Sequence, residues 1–311
     1  MRGERQPPAP SKPRRDAMAW KSHLLLPVIM ALGLLSAFAV FQIAAGAPAA
    51  PWLGVLLAAA PLPGLVTVLS VAKDAGRTSR RLPVHLALVG AGVALAVVTT
   101  PSGWGPPAAA VASAVAFLWY DFVYSDLNRT PSTVLRVGAP LPRYRLTDLD
   151  GAAVDSQTFQ GRRTLQLFYR GNWCPLCMAQ INEVAARYRA LEALGVDVIM
   201  VSPQPHDQTA ALARKVDAPL RFLVDKDGEA ARALEIHAPD GTPTGLSLMG
   251  YAKDTVLPTV IATDVDGAVV YLDQTDNYRV RPEPDVFLRI FAGRSSAASA
   301  KAGAALIAET A

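Results

Sequence analysis

Four long apolar segments within the first 120 residues limit how this 311-residue chain can fold. They cover residues 24–46, 52–72, 83–100 and 107–120, and the first contains no charged residue. Each is near or somewhat below the length of about 20 residues that crosses a bilayer as a helix. The second contains Pro61 and Pro63, which predict a kink, and the fourth reaches full length only with Asp121 and Phe122. We therefore expect an all-α transmembrane region of about four helices at 23–126.

Lysine and arginine residues occur only in alternate connections between these segments. The tail before residue 24 contains six of them, the connection at 73–82 contains four, and the connections at 47–51 and 101–106 contain none. Positive residues are retained on the cytoplasmic side of a membrane, so the tail, the 73–82 connection and everything after residue 120 are predicted to be cytoplasmic. The expected location is the plasma (inner) membrane, crossed several times, with the lipid bilayer as a partner. These juxtamembrane residues explain the pI of about 9.1 without a nucleic acid partner.

A cleaved signal peptide is the alternative interpretation of the first segment. Ala45, Gly46 and Ala47 resemble a small-residue cleavage site. The segment is longer than the apolar core of an ordinary signal peptide, however, and three further apolar segments follow it. The sequence therefore favours a retained first helix. Whether or not this segment is cleaved, the later connections predict that the region after residue 120 is cytoplasmic.

The only two cysteines, Cys174 and Cys177, lie between a predicted strand and a predicted helix. Residues 164–169 are strand formers, Gly171 begins a turn, and Pro175 suits the first turn of a helix. A helix N-terminus favours negative charge and lowers the pKa of a thiol, which predicts a reactive Cys174. Cys177 lies one turn further along and can close a disulfide with it. This arrangement is typical of an attacking thiol and a resolving thiol.

Two other uses of a cysteine pair fit the sequence less well. A structural disulfide across so short a loop would remove little entropy from the unfolded chain. A zinc site needs two further ligands, and the chain has no other cysteine and only four scattered histidines. We therefore expect redox chemistry at this pair and no metal.

An α/β pattern occupies residues 143–292, after a linker at 127–142 that contains Pro, Ser, Thr and Arg. The predicted strands are 144–147, 153–154, 164–169, 196–201, 221–224, 259–263 and 269–272. Predicted helices follow the cysteines, begin at an Asp207 N-cap and cover 228–236. The order predicts a mixed sheet with helices on both faces. A basic tail at 1–22 and an Ala/Ser-rich tail at 293–311 complete the expected domain organisation.

Short motifs in the α/β region carry a family resemblance. They are Trp173-Cys174-Pro175-Leu176-Cys177, Leu257-Pro258-Thr259 before a later strand, the Asp266-Gly267 hairpin, and Val137-Gly138-Ala139-Pro140 at the start of the domain. The first three resemble the thioredoxin fold. The fourth, with an N-terminal hairpin, is similar to its peroxiredoxin-like branch, the alkyl hydroperoxide reductase and thiol-specific antioxidant (AhpC/TSA, redoxin) family. The resemblance covers roughly residues 136–291 and implies an α/β thioredoxin-like fold, a mixed sheet flanked by helices.

The resemblance implies roles for individual residues. Cys174 matches the attacking, peroxidatic-type cysteine, and Cys177 matches its resolving partner. Trp173 matches the tryptophan that precedes the first thioredoxin cysteine. Pro258 matches the cis-proline that packs against the disulfide, although an ordinary proline at the start of a strand is the alternative.

The sequence departs from the peroxiredoxin pattern near the cysteines. Gly171 stands where the family usually has Thr or Ser, and Leu167 stands where it usually has Pro. Arg279 and Arg281 are candidates for the family's activating arginine, and two solvated surface arginines are the alternative. The missing hydroxyl at Gly171 weakens the expectation of peroxide reduction more than that of thiol–disulfide exchange.

These observations predict a membrane-anchored thiol oxidoreductase with a redox-active dithiol/disulfide pair, a peroxiredoxin-like antioxidant that reduces peroxide. A thioredoxin-like protein-disulfide reductase and a non-catalytic redox-sensing or binding module are the alternatives. The expected substrate is a peroxide or a disulfide, and the expected reductant is a thioredoxin-like protein. No metal or organic cofactor is expected, because the two sulfur atoms can exchange the electrons themselves.

Three further features of the sequence carry weaker expectations. His206 follows a strand end and is a candidate proton acceptor. Residues 240–245 form a turn-rich insertion that either shapes substrate access or connects two elements. Gly90 and Ala94 indicate close helix packing in the membrane region.

Overall fold

The computed structural model describes residues 13–71 and 77–294, with side chains from residue 20 onward. The predicted basic residues before 13 and at 73 lie outside the described residues. The same holds for the Ala/Ser-rich tail from residue 295 onward.

The apolar segments fold as helices, as predicted. The helices are α1 (Pro13–Ala44), α2 (Ala49–Ala59), α3 (Pro61–Val71), α4 (Pro83–Thr99) and α5 (Gly105–Leu118), and a π-helical turn (Trp119–Tyr124) extends α5. When segments of this kind are helical, their backbone N–H and C=O groups form hydrogen bonds within the segment. Helices α2 and α3 meet at an angle of 48° next to Pro61, which confirms the predicted kink.

The structure supports fewer membrane spans than the four predicted. Among the described residues, Trp20–Ala44 and Gly105–Tyr124 are long and apolar enough to cross a membrane, and the bent pair of α2 and α3 adds a third if it is one span. Helix α4 has 17 residues, which corresponds to about 26 Å against a hydrocarbon thickness of about 30 Å. The all-α region is therefore confirmed, and the number of spans is two or three by length and composition.

Helices α2 and α4 cross where two glycines meet. A Cβ atom on Gly54 would lie 2.5 Å from the backbone N atom of Ala96, and a Cβ atom on Gly92 would lie 2.6 Å from the backbone of α2. Only glycine therefore fits at this crossing. The prediction had placed the close contact at Gly90, which is exposed and would bring a Cβ atom near nothing, because that side of α4 faces away from α2.

A seven-stranded mixed sheet forms the centre of the α/β domain. Its strands are β1 (Arg145–Thr147), β2 (Ala153–Asp155), β3 (Arg163–Phe168), β4 (Val196–Ser202), β5 (Arg221–Val224), β8 (Thr259–Thr263) and β9 (Val269–Asp273), and the short strands β6 (His237–Ala238) and β7 (Thr255–Val256) pair separately. The order is β2-β1-β5-β4-β3-β8-β9, with β3, β4 and β5 parallel. The predicted thioredoxin-like α/β class is confirmed.

Helices cover both faces of this sheet. They are α6 (Pro175–Ala186), α7 (Tyr188–Ala193), α8 (His206–Ala213), α9 (Glu229–Ala233) and a helical segment over 284–294. Leu165 and Met200 pack with Ile181 of α6 on one face, whereas Ile199 packs with Ala230 of α9 on the other. Alternate residues of neighbouring strands thus point into two separate cores.

Two predicted helix details were wrong. Helix α8 begins at His206, with Pro205 rather than Asp207 as its N-cap, because the carbonyl of Pro205 already accepts a hydrogen bond from the amide of Thr209. The single helix predicted after the cysteines is two helices, because α6 ends at Ala186 and α7 begins after a break at Arg187.

The α/β domain rests on one end of the helical region. The amide of Thr78, in the connection between α3 and α4, donates to the carbonyl of Arg279, and Arg77 forms an ion pair with Glu183 of α6. The connection over 77–82 and the domain therefore lie on the same side of the helices.

Candidate active site

Cys174 and Cys177 lie at the start of α6, where the chain leaves the end of β3. Cys174 is the N-cap residue, and its carbonyl accepts hydrogen bonds from the amides of Cys177 and Met178. Both cysteines are free thiols, their Sγ atoms are 2.8 Å apart, and they are 2% and 0% exposed. The predicted strand–turn–helix placement of the pair is confirmed.

Gly171 adopts a backbone conformation that excludes a side chain. Its φ angle is +152°, and a Cβ atom there would lie 2.5 Å from Nε1 of Trp173. The Trp173 ring thus occupies the space that a Thr or Ser side chain would need. The local backbone conformation and the Trp173 ring therefore explain why glycine replaces the usual Thr or Ser at this position.

Arg281, rather than Arg279, reaches the cysteine pair. Its Nη2 atom lies 3.6 Å from Sγ of Cys177, and Nη1 donates to Gln180 at 3.3 Å. Arg279 is fully buried and forms an ion pair with Asp121, a residue of the π-helical turn. The suggestion of Arg279 as an activating arginine was wrong, because Asp121 holds its guanidinium on the helical region.

The contact between the thiols separates their pKa values. Burial raises the pKa of Cys177, but the hydrogen bond with Cys174, the Arg281 guanidinium and Arg170 outweigh burial and lower it to about 6. The hydrogen bond with Cys177, together with burial, raises the pKa of Cys174, since a second negative charge so close would be repelled. The lowered pKa expected for Cys174 is therefore found at Cys177, on the side of Arg281.

Pro258 lies just before β8, at the same end of the sheet as the cysteines. Thr259 of β8 pairs with Phe168, the last residue of β3. The structure contains no cis peptide bond in the residues it describes, so the expected cis bond before Pro258 was wrong. A trans bond is intrinsically favoured, and here the Pro258 carbonyl accepts a hydrogen bond from Arg129 at 2.8 Å.

Two residues near the site were not predicted. The Arg170 guanidinium lies 4.9 Å from the centre of the Trp173 ring. Gln204 is 2% exposed and accepts a hydrogen bond from the amide of Asn172, two residues before Cys174. Gln204 lies in the loop after β4. Its position next to the cysteine turn could have been predicted only from the parallel pairing of β3 and β4, which brings the ends of these two strands together.

His206 does not serve this site. Its Nε2 atom lies 2.6 Å from the carbonyl oxygen of Asp148, at the hairpin between β1 and β2. The predicted role as a proton acceptor for the thiols has no support in this contact.

A small cavity lies between the cysteine turn and the helical region. It is lined by Lys21, Ser22, Tyr124, Asp126, Leu127, Arg170, Gly241 and Tyr278. The Tyr278 hydroxyl lies 2.7 Å from that of Tyr120, so the segment that contains Arg281 also contacts the last turns of the helical region. The thiol pair is thus close to the end of the helices.

Comparisons with known proteins concern the α/β domain. The AhpC/TSA family model matches residues 137–272. Peroxiredoxin Bcp of Escherichia coli strain K12 is 26% identical over 154 residues, an alignment that covers 50% of this chain and 94% of that protein. Thiol-disulfide oxidoreductase ResA of Bacillus cereus is 23% identical over 164 residues, with 51% and 79% covered. The crystal structure of reduced Prx3 from Vibrio vulnificus in complex with hydrogen peroxide matches at 18% identity and a TM-score of 0.45, with 50% and 99% covered.

Proposed function

We propose that the chain is a membrane-anchored thiol oxidoreductase that reduces peroxide with Cys174 and Cys177. The match of residues 137–272 to the AhpC/TSA family model and the similarity to peroxiredoxin Bcp support this proposal. The observation that carries the proposal is the pair of buried thiols at the N-terminus of α6, 2.8 Å apart, with Arg281 at 3.6 Å. A cation beside contacting thiols stabilises the thiolate that such chemistry requires.

The proposed cycle begins at Cys174. A proton moves between the contacting sulfur atoms, so either can carry the negative charge, and Cys174 is the one at the N-cap of α6. Its thiolate attacks one peroxide oxygen, and the O–O bond breaks. The leaving oxygen takes up a proton from solvent, so the products are a sulfenic acid and a molecule of water or alcohol. The Cys177 thiol then attacks that sulfur, a disulfide forms, and water leaves. An external thioredoxin-like dithiol reduces the disulfide and restores the pair.

Thiol–disulfide exchange is the second candidate function. Gly171 provides no hydroxyl for a peroxide, and Trp173 directly precedes Cys174, as in thioredoxins. The relatives named thiol-disulfide oxidoreductase ResA are consistent with this candidate. In this reaction the Cys174 thiolate would attack a substrate disulfide, and Cys177 would resolve the mixed disulfide.

Anchoring in the plasma membrane, with several spans and a cytoplasmic domain, is part of the proposal. It is supported by the two or three helices of sufficient length and by the basic residues of the 77–82 connection, which contacts the redox domain through Thr78 and Arg77. Positive residues are retained in the cytoplasm. We also propose the division into a membrane region at 23–126, a linker at 127–142 and a redox domain at 143–292.

Rapid mixing of the reduced full-length protein in detergent with peroxide tests this function. Consumption much faster than that of a free thiol, lost in Cys174→Ser and limited to one turnover in Cys177→Ser, is expected. Consumption no faster than a free thiol, combined with reduction of a protein disulfide, would favour the second candidate. Absence of both reactions would indicate a redox-sensing or binding module.

A further inference from the structure

An exposed apolar turn lies in the insertion between β6 and β7. Residues Leu246–Met249 form one 3-10 turn, bounded by Gly245 and Gly250 with φ angles of +94° and +85°. Leu248 is 92% exposed, the highest value among the large hydrophobic side chains in the described part of the chain, and Met249 is 65% exposed. Two neighbouring apolar side chains held out on a glycine-bounded turn indicate a contact surface.

The insertion is attached to α1 where that helix becomes apolar. Ser22 donates from its hydroxyl to the carbonyl of Asp240 at 3.0 Å, and the His23 ring forms a hydrogen bond with the Thr244 hydroxyl. The uncharged segment of α1 begins at the next residue, Leu24, which is 44% exposed. If α1 crosses a bilayer, these contacts hold the insertion at the level of the bilayer surface.

The composition of the insertion fits a position at the bilayer surface. Residues 241–252 contain no Asp, Glu, Lys or Arg. Trp20, two residues before Ser22 in the same helix, is 41% exposed, and tryptophan is enriched at membrane interfaces. Apolar side chains of interfacial segments enter a bilayer by about 5–10 Å. Leu248 lies four residues after Thr244 on a 3-10 turn, which rises about 2 Å per residue, so its backbone lies within about 8 Å of the contact with α1.

We propose that Leu248 and Met249 insert into the same bilayer that holds α1, which makes residues 241–251 a second membrane contact of the redox domain. This inference rests on the proposed membrane anchoring. The same insertion supports the cysteine turn, because Gly241 accepts a hydrogen bond from Arg170, and the Tyr251 hydroxyl donates to Asn172. The membrane contact would thereby fix the orientation of the thiol pair relative to the bilayer.

Site-directed spin labelling tests the inference in the full-length chain. Cys174→Ser with Cys177→Ser removes both native cysteines and allows one label at a time. Leu248→Cys is the test position, and Leu34→Cys, in the apolar part of α1 and 70% exposed, reports lipid. Val265→Cys, 52% exposed, reports water, because it lies beyond Thr263, at the end of β8 opposite the cysteines. The labelled proteins are placed in nanodiscs of phosphatidylcholine and phosphatidylglycerol.

Accessibility to oxygen and to a water-soluble nickel chelate distinguishes the outcomes. We expect the label at 248 to resemble that at 34, accessible to oxygen and protected from nickel. A label at 248 that is as accessible to nickel as the one at 265, or that is shielded from both reagents, would overturn the inference. If the label at 34 is lipid-exposed in the same experiment, the proposed membrane anchoring still holds. A water-exposed label at 34 would instead reject the anchoring on which the inference rests.

Discussion

The Nη2 atom of Arg281 lies 3.6 Å from the Sγ atom of Cys177. Arg279, two residues earlier, contacts Asp121 in the helical region instead. The two arginines therefore stabilise different charges, a thiolate in one case and a buried carboxylate in the other. Their replacement is expected to give separable effects, one on the reactivity of the thiols and one on stability.

Replacement of Arg281 by Met should raise the pKa of Cys177. Burial raises this pKa, and the hydrogen bond with Cys174 and the Arg281 guanidinium are the main groups that together lower it to about 6. A cation at this distance commonly lowers a pKa by about 1 to 3 pH units. The pH midpoint of alkylation by iodoacetamide should therefore move upward, with slower alkylation at pH 7. Arg289→Met, on the exposed side of the 284–294 helix, is the matched control. An unchanged midpoint in Arg281→Met would show that the contact does not stabilise the thiolate.

Arg279→Met should strongly destabilise the full-length protein. Removal of one partner from a buried ion pair costs about 3–5 kcal/mol, because the other charge remains buried. The double variant Arg279→Met with Asp121→Leu should recover much of the loss in thermal unfolding in detergent. Arg187→Met disrupts an exposed pair with Asp285 and should change stability by about 1 kcal/mol or less. A double variant less stable than Arg279→Met would contradict this interpretation.

Local sequence patterns were sufficient to predict the centre of the domain. The β3–turn–α6 unit, with Gly171 and Pro175 in their expected places, follows from backbone preferences of a few consecutive residues. The hairpin of β8 and β9 around Asp266-Gly267 was predictable for the same reason. These elements place the cysteines at the end of a central strand without any information about distant contacts.

The partners of charged side chains could not be predicted in this way. Arg279 and Arg281 have similar sequence surroundings, and only the packing of the domain against the helical region decides which one meets the cysteines. Asp121, at the end of the fourth apolar segment, is fully buried and is paired with Arg279, which lies more than 150 residues later in the sequence. Contacts of this range depend on the tertiary structure, which short motifs do not specify.

Gly171→Thr, which introduces the usual peroxiredoxin residue, should impair the site rather than improve it. The positive φ angle and the close Trp173 ring disfavour any side chain there, at a cost of about 1–3 kcal/mol for the backbone strain alone. We expect lower thermal stability and slower reaction of the thiols with peroxide. Gly293→Ala, which has neither a positive φ angle nor a close neighbour, should change neither property. Faster peroxide consumption by Gly171→Thr would show that the turn can rearrange to use the hydroxyl.

Enlargement of Gly54 or Gly92 should separate α2 from α4. A Cβ atom at either position would overlap the backbone of the opposite helix, and helices cannot move apart without losing the contacts around the crossing. Overpacking of this kind costs about 1–3 kcal/mol, so Gly54→Val and Gly92→Val should each lower the melting temperature in detergent. Gly90→Val is the matched control on the outward side of α4, where nothing lies near the added atoms. Equal melting temperatures for Gly92→Val and Gly90→Val would rule out the glycine crossing as a determinant of the stability of the membrane region.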